Sequence, residues 1–350
     1  MEKMNKENII TAVNVGSSRI TVCIANLEYD GSIAVVGLGK ADGKFMGNKG
    51  VLDIDVLSNA IRYALKAAEQ EAGFEVTQAF VSMSGANITN EKSRGMVMLG
   101  KRGEEIFNRH IKNVLRVAEA VPLGLEKEII HSIPQSFVVD GQDGIKNPLG
   151  LYGVKMEVDA LLIAADMPFL QNIIKCLNIA GVELEDAVFS GIATAACVFP
   201  KEKEPGCIIL LEADNSFTSL SVFFNDVLRG IDVCGANILH VSAMKSLGES
   251  AGKICGPRPA SKIIITGSSF PSEDIIERLE AAFGVSAEIG YPRNIRGSAR
   301  DINNPAYITA MGLAIYGAEK RLAEMPIAGT SGGIFNKAIN RLKTLFAEYF

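Results

Sequence analysis

The stretch Ala12-Val13-Asn14-Val15-Gly16-Ser17-Ser18-Arg19-Ile20-Thr21-Val22-Cys23-Ile24-Ala25 decides how this chain is read. An apolar run, a tight turn of small polar residues and a second apolar run make a β-hairpin. The layout returns at Ile208-Ile209-Leu210-Leu211-Glu212-Ala213-Asp214-Asn215-Ser216-Phe217-Thr218-Ser219-Leu220-Ser221-Val222-Phe223. Two such units far apart suggest two related domains facing each other across a cleft, with the turns pointing inward. Backbone N–H groups and hydroxyls in such turns can cradle a phosphate chain. Taken alone, the hairpins favour a plainer reading, two ordinary hairpins in a mixed α/β protein, because glycine-poor turns of this kind are common.

Composition narrows the class. With 350 residues the chain is long enough for two or three domains, and 48% hydrophobic content marks a packed globular protein. A net charge of −5 supplies no basic field for nucleic acid. The six cysteines (Cys23, Cys176, Cys197, Cys207, Cys234, Cys255) form no CxxC pair and read as reduced, buried thiols. Three scattered histidines offer no metal constellation. The charged segment 1–8 precedes too short an apolar run for a signal peptide, and no apolar run reaches the ~18 residues that span a bilayer. The expectation is a soluble, cytosolic protein.

In chain order, a third strand at 33–39 completes a meander, and a loop comes next at 43–49. A helix capped by Asp53 or Asp55 then carries Leu57, Ile61, Leu65 and Ala68 on one face. Residues 79–83 form a buried strand ended by Ser84-Gly85. From 87 to 164 the texture changes to an inserted α+β module, with strands at 96–99, 128–139 and 154–162 around a helix at 104–121. Pro134 interrupts its strand, which suits an edge or a bulge. Met83, Met96, Met98, Met156 and Met167 read as core fillers.

The most individual text lies inside this module, from His131-Ser132-Ile133-Pro134-Gln135 through Asp140, Gln142, Gly144-Ile145, Pro148, Gly150 and Gly153. It resembles the bacterial cell-division protein FtsA, whose members carry H-x-I-P-Q-x-F-x-V-D-x-Q-x-G-I-x-x-P-x-G-x-x-G in subdomain 1C. Ile263-Ile264-Ile265-Thr266-Gly267-Ser268-Ser269 resembles the family's adenosine motif. Ile289-Gly290-Tyr291-Pro292, Asn304-Pro305-Ala306-Tyr307 and 311–317 resemble the family's sequence C-terminal to that motif. The resemblance implies an α/β, actin-like, two-lobed fold of duplicated ribonuclease-H-like domains around an ATP cleft. Lobe 1 would take 1–86 and 165–204, subdomain 1C 87–164, and lobe 2 residues 205–322.

It also assigns site residues. Asn14, Gly16, Ser17, Ser18 and Arg19 stand where the family's first phosphate loop reads D-I-G-T-S-K. Glu212, Asp214, Asn215, Ser216 and Thr218 stand in the second, D-I-G-G-G-T-T-D. Gly235 keeps half of a Gly-Gly pair, and Gly267 and Ser268 belong to the adenosine motif. The departures point to degraded phosphate chemistry, with ATP weak or absent and no catalytic or metal-ligating residue assigned. Asn14 brings no charge for Mg²⁺. Side chains replace three glycines that let backbone approach phosphate. Asp214 sets a negative charge beside a triphosphate, and Asn215 is a residue that tolerates a left-handed turn. Between a helix at 237–247 and the strand at 263 only 248–262 remain, so most of subdomain 2B is missing. That loss argues against direct FtsZ tethering and removes one surface for filament formation.

At the end of the chain, a linker at 323–333 precedes an amphipathic helix at 334–350. Its apolar face includes Ile334, Phe335, Ile339, Leu342, Leu345 and Phe346, flanked by Lys337, Arg341 and Lys343. This suits an anionic inner-membrane lipid surface, as in the membrane-targeting helix that ends FtsA proteins. The other reading is a helix folded back on the body. The expected protein is a peripheral scaffold or adaptor of cell division, on the cytoplasmic face of the membrane. Subdomain 1C would contact other division proteins or a second copy. Alternatives are an active ATP-binding filament former and an adaptor of the pilus-assembly type.

Overall fold

The duplicated hairpins are the first halves of two three-stranded meanders. In the computed structural model, which describes residues 8–28, 30–47, 50–124, 126–200, 206–267, 274–297 and 299–324, strands β1 (Ile9–Val15), β2 (Arg19–Leu27) and β3 (Ile33–Asp42) run antiparallel. Helix α1 (Ile54–Ala72) crosses to β4 (Gln78–Met83), which pairs parallel with β1. Of the two candidate caps for α1, Asp53 is used, accepting from the N–H groups of Asp55 and Val56.

The chain then leaves the lobe. Strand β5 (Ile88–Met98), helix α2 (Asn108–Glu119), and strands β6 (Lys127–Val139), β7 (Gln142–Ile145) and β8 (Lys155–Asp166) build a separate four-stranded sheet of order β7-β6-β8-β5. It has its own core of Ile106, Val114, Phe137, Met156, Val158 and Leu162. Helix α3 (Met167–Ala180) returns to lobe 1, β9 (Glu183–Phe189) pairs parallel with β4, and α4 (Ser190–Val198) comes next.

Lobe 2 repeats the plan. Strands β10 (Cys207–Ala213), β11 (Thr218–Phe224) and β12 (Val227–Cys234) form the meander, and α5 (Val241–Cys255) crosses to β13 (Ala260–Gly267), parallel to β10. Helix α6 (Asp274–Phe283), β14 (Ala287–Ile289) and α7 (Ile308–Glu324) complete it. The order β12-β11-β10-β13-β14 mirrors β3-β2-β1-β4-β9. Two copies of one βββαβαβα unit therefore place the β1–β2 and β10–β11 turns in equivalent positions. Helix α7 is anchored on lobe 1, where Arg321 pairs with Glu185 and Lys320 with Asp186.

Several local expectations are corrected. The insert helix starts at Asn108 rather than 104, because Glu104–Glu105 form a short strand with Tyr152–Gly153. The strand at 96–99 is the tail of the eleven-residue β5, an edge strand, and Met96 and Met98 are 53% and 66% exposed on it rather than in the core. Met83 and Met156 are buried. Helix α5 runs on to Cys255 through Gly248 and Gly252, so only residues 256–259 separate it from β13. Residues 323–324, expected to open the linker, belong to α7. The rest of that linker and the expected helix at 334–350 lie outside the described residues.

Candidate phosphate-loop site

The two turns close in the same way. The Gly16 N–H donates to the Arg19 carbonyl at 3.0 Å, and the Asp214 N–H donates to the Phe217 carbonyl at 3.0 Å. Neither needs a left-handed residue. Among the described residues, only Asp140, Asn225 and Asp226 have positive φ without being glycine, so Asn215 does not adopt that conformation. Gly16 is required for space instead, because a Cβ there would sit 2.7 Å from the Arg19 carbonyl oxygen. Loss of glycine in the second loop leaves its turn intact and changes what the loop presents.

It presents a carboxylate. Asp214 reaches across to the first loop, where Oδ2 accepts from the Ser17 N–H at 3.1 Å. Oδ1 accepts from the hydroxyls of Ser17 at 2.6 Å and Ser18 at 2.9 Å. The Asn215 N–H also points at Oδ1, at 2.5 Å, and the Asp214 carbonyl is held by Asn237 Nδ2 at 2.9 Å. Each of these donors is uncharged.

The other site residues turn elsewhere. Asn14 Oδ1 accepts from the Ser82 hydroxyl at 2.9 Å, and Arg19 Nε donates to Asp42 at 2.5 Å on β3. Glu212 is buried beneath α4, taking hydroxyl bonds from Ser190 and Thr194 at 2.7 Å each. Burial, with a smaller push from the Asp214 charge, raises its pKa against those hydroxyl bonds. Thr218 donates to the Ala236 carbonyl at 3.1 Å, and Ser216 is half-buried at the turn. The backbone at Gly235 is open, with nothing within 4 Å of a Cβ built there. Gly267 (φ +124°) lies against β10, where a Cβ would meet the Ala213 carbonyl oxygen at 2.1 Å. Ser268 and the membrane-helix residues lie outside the described residues.

The resemblance implies Mg²⁺-ATP, and the groups that would face its phosphates are engaged with other partners in this structure. The hydroxyls and the N–H that would meet phosphate already bond a carboxylate, the nearby cation is paired with Asp42, and Asn14 is neutral. Glu212 carries a raised pKa under α4. Among the described residues, no group of three or more His, Cys, Asp or Glu side chains could hold a metal ion. The partners Ser82, Ser190, Thr194 and Asp42 carry no local signal, since each comes from another element.

Two lobes of one topology around opposed turns, with an α+β module inserted after β4, define an actin-like protein of the ATPase fold class. A solved chain of the "PilM-PilN type IV pilus biogenesis complex" superposes with a TM-score of 0.62 at 13% identity, covering 88% of this chain and 98% of that one. Residues 85–164 match the family model described as the SHS2 domain inserted in FTSA. Over most of its length the chain resembles FtsA proteins at low identity. It is 24% identical to the cell division protein FtsA of Pseudomonas aeruginosa over 397 aligned residues, covering 95% of each protein. The FtsA of Borreliella burgdorferi is 23% identical over 90% of this chain and 92% of its own length, and that of Bacillus subtilis 28% over 67% and 54%. Among the described residues, no helix is long and apolar enough to cross a membrane.

Proposed function

We propose that this chain is an FtsA-like scaffold of bacterial cell division, peripheral on the cytoplasmic face of the inner membrane, whose cleft no longer turns over nucleotide. One observation carries the reading: an SHS2 module of the FtsA kind sits on a duplicated actin-like body that resembles FtsA along its length. The loss of turnover is supported by Asn14, Arg19 and Glu212, all engaged away from a phosphate position. The basic and apolar residues of 334–350 supply the lipid anchor for anionic membrane. The insert supplies the surface for division partners or a second copy. Met96 and Met98 on its edge strand, with Tyr152 nearby in the module, leave apolar area uncovered there. FtsZ is a weaker expectation, because only four residues join α5 to β13 where the family carries 2B.

The pilus-type neighbour supports a second reading, an adaptor of the same fold without a division role. A fluorescent fusion to the full chain in dividing cells separates them. The division reading expects a band at midcell that disperses when residues 334–350 are removed. A signal at envelope complexes unrelated to the septum would replace it with the adaptor reading.

A further inference from the structure

We propose that Asp214 is a built-in phosphate surrogate: its carboxylate occupies the anion position of the first loop, where a free phosphate group would otherwise bind. This rests on reading the paired turns as the phosphate site of an actin-like cleft. A phosphate is recognised in such a loop by backbone N–H groups and hydroxyls converging on its oxygens. Asp214 receives that set: one backbone N–H and two hydroxyls from the 16–18 turn, and a further N–H from its own turn. A carboxylate is planar and carries one charge on two oxygens, so it satisfies an N–H and two hydroxyls without a counter-cation.

The source of the surrogate is the equivalence of the two turns. Gly16 and Asp214 both donate the N–H that closes their turns, so Asp214 occupies in lobe 2 the place that a side-chain-free residue holds in lobe 1. A single side chain added at that place spans the cleft. The contact also joins residues 197 positions apart, so the same carboxylate that fills the loop ties one lobe to the other. The surrogate explains why the first loop keeps Gly16, Ser17 and Ser18 although the charged groups around it have turned away. Its donors are in use.

The test is calorimetric titration of inorganic pyrophosphate, without Mg²⁺, into the full-length wild-type protein and Asp214→Gly. The surrogate expects no binding heat from wild type and at least roughly tenfold tighter binding by the variant. Adding Ser17→Ala to the variant should remove most of that gain. Equal binding by wild type and variant would overturn the surrogate, because the loop would then be open to phosphate, and would leave the loss of turnover resting on Asn14, Arg19 and Glu212 alone. Binding by neither would overturn the surrogate alone and make Asp214 a plain inter-lobe tie, with the scaffold reading untouched. If Asp214→Gly is too unstable for titration, its melting temperature is read with increasing pyrophosphate. A rise in the variant but not in wild type supports the surrogate, and no rise overturns it.

Discussion

His131 shows how one neutral side chain can hold an insert in place. It lies on β6 of the inserted module, buried, and its Nε2 accepts the Phe189 N–H of lobe 1 at 3.0 Å. Its ring meets Tyr316 of α7 edge-on at 6.1 Å. Burial pushes its pKa from 6.5 down to about 4, with Asp186 opposing and Lys320 assisting. The depressed folded value fixes the sign. The contribution is fully present above pH 6.5 and is lost as pH falls through the window to 4, because the unfolded state binds the proton first. At 1.36 kcal/mol per unit this is about 3 kcal/mol. Replacing His131 with Phe removes the titration and leaves the Phe189 N–H without its acceptor. In chemical denaturation, the stability difference between wild type and His131→Phe should shrink by about 3 kcal/mol from pH 7 to pH 4. A difference that stays constant with pH would show that the ring is not held neutral by burial.

At the scale of elements, helices α4 and α7 touch backbone to side, and Gly312 is what permits it. A Cβ at Gly312 would lie 1.9 Å from the Ala193 carbonyl oxygen, and one turn earlier the hydroxyls of Thr194 and Thr309 meet at 2.9 Å. Neither helix can shift easily, since α4 also covers Glu212. Gly312→Ala should therefore destabilise by about 1–3 kcal/mol despite its better helix propensity, lowering the thermal midpoint by several degrees. An unchanged or raised midpoint would show that the helices can separate at no cost. The same contrast between local and distant causes divides what the sequence reveals from what it hides. Both hairpins, the meander, α1 with its Asp53 cap and most of β6 are set by apolar periodicity and capping chemistry within a few residues. The start of α2 is not, because Glu104–Glu105 are claimed by Tyr152–Gly153 much later in the chain. Helix α5 outlasts its glycines, since Leu247 and Ala251 still bury one face in the lobe 2 core, where the helix packs on β11 and β12. In the site, the loop residues are legible from their pattern, but the direction of each side chain is not. That Asp214 bonds Ser17, and that Arg19 prefers Asp42, depends on the approach of separate elements.

For the whole molecule, the consequence is a body tied across its cleft by more than one element. The Asp214 bonds join the lobes at the loops, and the insert joins them again from the side. Strand β12 is the edge of the lobe 2 sheet, and the Asn90 side chain pairs with it as a neighbouring peptide would, donating to the Ile231 carbonyl at 3.1 Å and accepting the Ile231 N–H at 3.2 Å. On β6, Ser136 faces Asp159 and Pro134 faces Ala160, which leaves Gln135 as the extra residue of a bulge. The bulged side chain donates to the Leu228 carbonyl at 3.0 Å and accepts from Arg229 at 2.8 Å. His131 and Gln135, both in the family-like passage, therefore grip opposite lobes from one strand. An insert fastened in this way should act as a strut that holds the lobes at one separation. The double variant Asn90→Ala with Gln135→Ala removes both clips, at about 1 kcal/mol for each neutral hydrogen bond and about 1.5–3 kcal/mol for the one from Arg229. Hydrogen exchange measured by mass spectrometry should then show faster exchange along Val227–Cys234 and also in the 16–18 turn, because lobes freed at the side strain the Asp214 bonds. Faster exchange along β12 alone would mean that the insert only covers an edge and that the loop carboxylate holds the lobes by itself. No change in either segment would show that these clips carry no load, and the strut would have to be abandoned.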